Sequence, residues 1–200
     1  VNDTNLHASI ITEISLDSVN QSAKASIRLE GSDLKNLNLA SKPLRVSGKS
    51  NIKIKGFDID NMNGLATFSN ILIIKEEERY PIESVYIKVI NTEQRSEIIL
   101  KSQIVDANLK GTLNMTTIPQ VIKTYTSNYI QSTSGYSKIN MEDQNFEFAI
   151  DFHDPALFAK LFVPNLKEFE AGTIAGNFNG PKSELNIQVD LPLINYNDIR

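Results

Sequence analysis

The sequence predicts a mainly β, antiparallel fold with two short amphipathic helices. Apolar and polar residues alternate with period two nearly from end to end, which is the signature of strands with one dry and one wet face. Apolar residues make up 40% of the 200-residue chain and are spread evenly rather than gathered into one hydrophobic span. Glycine, asparagine and charged clusters fall between the alternating runs, where turns are needed.

Taken in order, Ala8, Ile10, Thr12, Ile14 and Leu16 share one face, and Ala23, Ala25, Ile27 and Leu29 share the next. In "GKSNIKIKGFDIDNMNGLATFSN" (48–70), Ile52 and Ile54 alternate with lysines, Gly56 breaks the phase, and Asn63-Gly64 supplies a hairpin signal before another strand. Glu76-Glu77-Glu78-Arg79 reads as a charged connection. Val85, Ile87 and Val89 follow, then Ile98 and Leu100, and the Ile104-Val105 step shifts the phase as a bulge would. Ala107, Leu109, Gly111, Leu113 and Met115 alternate with polar residues, as do Phe146, Phe148, Ile150 and Phe152. Ile174, Gly176 and Phe178 lead to Leu185, Ile187, Val189 and Leu191, for roughly ten antiparallel strands in all.

Two segments switch to helical spacing. Ile118, Val121, Ile122, Tyr125 and Tyr129 follow a three-four rhythm, with Pro119 suited to a first turn. In "DPALFAKLFVPNL", Asp154 is the expected N-cap, Leu157, Phe158, Leu161 and Phe162 form the stripe, and Pro164 ends it. Each helix follows an alternating strand, so the chain reads as two copies of a strand, short helix, strand unit, with "IQSTSGYSKINMEDQ" as the loop between. Residues 1–200 form one β-rich segment, divisible into sub-units 1–131 and 140–200. The chain opens at Val1 almost directly into a strand pattern, and the expectation is an internal piece of something longer, with room for a signal or anchor upstream.

Equipment for chemistry is sparse. A net charge of −4 and lysines scattered along strands argue against a nucleic-acid partner. With no cysteine, thiolate catalysis, disulfides and cysteine-based zinc sites are excluded. His7 falls on a polar strand face, and His153 ends a strand beside Asp154 with no nucleophile motif near it. Glu76-Glu77-Glu78 lacks the glycine and bidentate glutamate of a calcium loop. Asp58 and Asp60 read as turn residues, and Gly172, Gly176 and Gly180 as bends or close backbone approaches rather than a phosphate loop. The expectation is a non-enzyme with no cofactor and no metal.

The apolar face remains as the candidate site. It fits a sandwich, in which two sheets bury each other's faces, and equally a trough open to an apolar ligand. Taken alone, the alternation favours the sandwich.

Three stretches shift that balance. "NLASKPLRVSGKSNIKIKGFDIDNMNGLATFSNILI" carries an L-x-V-x-G strand, a strand ending in glycine and an Asp-Asn-x-x-Gly turn. "LKSQIVDANLKGTLNMTTIPQVIKTYTSNYI" adds an Asp-Ala-x-x-x-Gly strand, a proline and a short helix. "FAIDFHDPALFAKLFVPNLKEFEAGTIAGNFNG" adds Pro-Asn-Leu and a Gly-x-Phe-x-Gly strand. Together, over roughly residues 25 to 195, they resemble the TamB proteins of Bacteroidota, within the wider AsmA-like group.

The resemblance implies a curved, taco-like antiparallel sheet with an apolar groove, part of a longer, repeating, inner-membrane-anchored protein spanning the Gram-negative periplasm. It implies phospholipid transport toward the outer membrane, and a role in outer-membrane protein assembly with a barrel partner met through regions this segment lacks. The expected lining residues are Ile52, Ile54, Val85, Ile87, Leu109, Leu113, Met115, Phe146, Phe148, Ile150, Phe152, Ile174, Phe178, Ile187 and Val189, facing phospholipid acyl chains. The alternative is a secreted or surface β-sandwich that acts as a binding or adhesion module.

Overall fold

A computed structural model describes residues 2–17, 19–118, 144–163 and 165–196. The strands are β1 (Asn2–Asp3), β2 (Leu6–Ser15), β3 (Ser22–Asp33), β4 (Leu44–Lys55), β5 (Asn63–Lys75), β6 (Glu78–Asn91), β7 (Ser96–Ser102), β8 (Val105–Thr112) and β9 (Asn145–Phe152). Helix α1 (Pro155–Phe162) follows, then β10 (Leu166–Phe169), β11 (Gly172–Asn179), β12 (Glu184–Asp190) and β13 (Ile194–Tyr196). Eleven strands form one antiparallel sheet in the order β1-β2-β3-β4-β5-β6-β7-β8-β9-β11-β12, while β10 and β13 make a separate two-stranded ribbon. The large sheet is open, with β1 and β12 at its edges. A sandwich of two large sheets is therefore not the arrangement found. Strands from both sides of the expected 131/140 division share the sheet through the β8–β9 pairing.

Local chemistry explains most elements. Asp154 caps α1 by accepting the Leu157 amide at 2.9 Å, and Pro155 occupies the first turn, where its missing N–H costs nothing. The β5–β6 hairpin turns on two residues, Glu76 (φ 51°) and Glu77 (φ 74°), both left-handed as a tight primed turn requires. Glu78 and Arg79, expected in that connection, already belong to β6.

Several sequence expectations need correction. Asn63-Gly64 does not form a turn: both residues open β5 and pair with Lys55 and Ile54. The chain reverses earlier, over residues 56–62, where Gly56 takes φ 76° and donates to the Gln21 carbonyl. Asp58 organises that turn by accepting from the Asp60 amide and the Asn61 side chain. Gly56 and Ile104 are thus turn positions rather than bulges, and Val105 opens β8. In the large sheet the register shifts fall instead at His7/Ala8, Leu29/Ser32 and Ser47/Lys49, with Asn70 left-handed at φ 52° opposite the last of them. Leu16, Leu113, Met115 and Leu191 lie beyond the ends of their strands. Except for Ile118 and Gln144, the expected helix beginning at Ile118 and the loop after it lie outside the described residues.

Candidate functional site: an apolar face spanning the sheet

The register carries apolar positions from strand to strand without losing phase. One row runs Thr12, Ala25, Ile52, Ala66, Ile87, Leu100, Ala107, Ile150, Ile174, Val189, each residue paired with the next. A second, two residues along each strand, runs Ile14, Ala23, Ile54, Gly64, Val89, Ile98, Leu109, Phe148, Gly176, Ile187. Both rows cross every strand of the large sheet from β2 to β12, a span of about 43 Å at ordinary strand spacing. Neither holds a charged residue, and Thr12 is the one hydroxyl. A partial third row, Ile10, Ile27, Ser50, Phe68, Val85, flanks them.

Ile52, Ile54, Val85, Ile87, Leu109, Phe148, Ile150 and Ile174 are half-buried: neighbours in the sheet shield their flanks and leave part of each side chain open. At the margins Ile10 (54%), Ile14 (61%), Ile187 (54%) and Val189 (55%) are substantially exposed. Large aliphatic side chains rarely gather in the open on a folded protein without a partner.

The C-terminal part of the face is covered at both strand ends. At one end Leu113, Phe146 and Phe178 form a buried cluster, with Met115 and Ile118 packed against it from the segment after β8. At the other, Phe152 lies beneath Phe158 of α1 and Phe169 of β10, with ring centroids 5.0 Å and 4.8 Å away. Four expected lining residues, Leu113, Phe146, Phe152 and Phe178, are therefore core residues between 1% and 8% exposed, and they contact protein rather than an open groove. Met115 belongs with the covering segment. The strand periodicity identified their face but could not reveal what folds over it.

The helices were expected to cap or rim the face, and α1 does so through Phe158, but sequence reasoning missed Phe169 as a covering residue and the β10–β13 ribbon altogether. The helical stripe signalled that Phe158 would pack, though not against which strand. Helix α1 is strapped at its far end: Lys75, on β5, donates to the carbonyls of Lys160 (2.6 Å) and Leu161 (3.3 Å), satisfying groups that a helix end leaves open. Lys160 lies 3.6 Å from Glu78 and 5.9 Å from the Tyr80 ring centroid. The Tyr80 hydroxyl hydrogen bond, then the Lys160 charge, hold the Glu78 carboxyl below its usual range. Gly176 sits where the backbone of β12 and the Phe148 ring come close: a Cβ there would fall 2.6 Å from a Phe148 ring carbon and against the Asn186 carbonyl oxygen.

His153 pairs with Asp106 at 3.3 Å rather than with its neighbour Asp154. Lys101 reaches the same carboxylate at 2.6 Å, and the Ser102 amide donates to its other oxygen. Burial alone would push the Asp106 carboxyl up, but the Lys101, His153 and Ser102 hydrogen bonds outweigh it and leave the group below its usual range. The Ser102 hydroxyl donates to the Val105 carbonyl and accepts from the Ile104 and Val105 amides, so it is occupied in closing the β7–β8 turn. Among the described residues there is no cluster of three or more metal-ligating side chains, and no helix is long and apolar enough to cross a membrane. No protein family, curated protein or solved structure matches this chain.

Proposed function

We propose that this sheet is a lipid-carrying surface: a non-enzymatic segment over which phospholipid acyl chains travel between membranes. The observation that carries the reading is the pair of uninterrupted apolar rows spanning β2 to β12 on one face of an open sheet. An acyl chain leaving water gains about 0.8 kcal/mol per buried methylene, so shielding along such rows needs no charged anchor. A strip of nearly uniform aliphatic character also lacks a deep well, which favours sliding over capture. The sequence resemblance supports the wider setting: a periplasmic location within an inner-membrane-anchored protein, transfer between inner and outer membranes, and a contribution to outer-membrane biogenesis with a barrel partner engaged through other regions.

Native mass spectrometry of the chain purified from a Gram-negative host, with lipid extraction from the same sample, tests this. The expected result is co-purifying phospholipid that is lost when the exposed rim of the rows is charged. A clean apo mass, with no uptake of added lipid, would overturn the proposal and favour a structural or adhesive module.

A further inference from the structure

The face opposite the apolar rows carries a basic patch. The register sets Lys24 directly across from Lys53, and Arg28 across from Lys49. It also places Lys53 and Lys88 on either side of Leu65. Lys55 extends the patch to the end of β4. Like charges directly opposite each other destabilise a strand pair, so two such pairs in succession on β3 and β4 work against the fold. Little on the same face offsets them. Glu13 bridges Lys24 at 3.1 Å, Glu30 stands at the bulge beyond Arg28, and among the described residues Arg28, Lys49, Lys53, Lys55 and Lys88 have no ion pair. Glu97 and Asp106 stand on the same face in β7 and β8, Glu97 bonded to Asn108 and Asp106 to Lys101, and the carboxylates Glu147, Asp151, Glu184 and Asp190 lie farther off, in β9 and β12. A net charge of −4 conceals this segregation.

Exposed apolar side chains are interleaved with the cations. Ile11 pairs with Ser26, between Lys24 and Arg28 along the strand, and is 73% exposed. Tyr86 stands across from Thr67 on the same face. Leu16 and Val19, in the adjoining β2–β3 turn, are 77% and 83% exposed. The turn's carboxylate, Asp17, is folded back onto the Val19 amide. Cations beside exposed aliphatic side chains fit the boundary of a bilayer, where headgroup phosphates take the first and the acyl margin takes the second. A nucleic-acid backbone would leave Ile11 without a partner.

We propose that the polar face of β3 to β6 docks on an anionic lipid bilayer, leaving the apolar rows of the opposite face free. This does not rest on the lipid-carrying reading, because it concerns the other side of the sheet. The test is flotation of the whole chain with vesicles of phosphatidylcholine alone and of an equal mixture of phosphatidylcholine and phosphatidylglycerol.

Binding to the mixed vesicles that weakens as salt is added is the expected result. With each surface cation contributing roughly five-fold to partitioning, the double variant Lys49→Gln with Lys53→Gln should lose about 25-fold. Its melting temperature should not fall, since both like-charge pairs are relieved. Lys182→Gln, outside the patch, should bind as the parent does. Uptake through the apolar rows would not depend on headgroup charge, so only the charge-dependent part of binding reports on the patch. Equal binding to both vesicles, or a folded double variant that binds mixed vesicles like the parent, would overturn the proposal. Tighter binding to duplex DNA than to mixed vesicles at the same salt would overturn it too, assigning the patch to nucleic acid.

Discussion

Replacing Ile187 with Arg would separate the proposed lipid carriage from folding. Ile187 ends the row through Phe148 and Gly176 and is 54% exposed, so about half its surface already meets water. Full burial of such a side chain is worth about 1.5–3 kcal/mol, so the fold should lose only about 1 kcal/mol. For a chain of this size that lowers the melting temperature by about 2–4 °C. The effect on an acyl chain is larger. A guanidinium standing where three or four methylenes would lie forfeits about 3 kcal/mol at 0.8 kcal/mol each, or roughly a hundred-fold in affinity.

The assay is titration of the folded variant with a fluorescent-acyl phospholipid, with circular dichroism run in parallel. An unchanged dissociation constant in a variant that melts normally would refute the argument. Leu113→Arg is not an equivalent test, because Leu113 is 8% exposed within a core cluster. Burying an unpaired guanidinium there should cost the fold itself.

Three further outcomes follow from particular contacts. Gly176→Ala should destabilise by about 1–3 kcal/mol through overpacking against Phe148 and the Asn186 carbonyl; an unmoved denaturation midpoint would show that the backbone yields freely. Glu77→Gly should raise the melting temperature, since relieving a left-handed residue is worth about 1–2 kcal/mol, and a drop would mean the side chain matters more than its φ. The third outcome is acid sensitivity at Asp106. Because its carboxyl is depressed in the folded state, the stability it contributes is present above the ordinary carboxylate range and lost as pH falls through the depressed value. Asp106→Asn should therefore be less stable than the parent at neutral pH, with the gap closing in acid, and a gap independent of pH would refute this.

Alternation made the strands legible, because a half-wet sheet forces period two on the sequence and nothing else here competes with it. Helix α1 was legible from its cap, its proline and its stripe. The turn at residues 56–62 was not: Asn63-Gly64 looks like a hairpin signal, but Asp58 and Gly56 close the turn earlier and the pair is drawn into β5. The bulges at Leu29/Ser32 and Ser47/Lys49 were hidden because each depends on two strands at once. The cations illustrate the same limit. Lys24, Arg28, Lys49, Lys53 and Lys88 look scattered along the chain, and only the cross-strand register stacks them.

From β1 to β8 each strand pairs with the strands just before and after it in chain order, whereas β9 pairs with β8 and β11 across the longer connections 113–144 and 153–171. Among these first eight strands none waits for a partner made much later, and pairing over short sequence separations favours fast folding. Units that touch only their neighbours can also form progressively from one end. The first eight strands can zip up hairpin by hairpin while the chain is still being made, with one growing edge at a time. The same wiring makes length adjustable. An added pair of strands would restore both phase and chain direction, lengthening the apolar face by roughly 10 Å without disturbing the strands already in place.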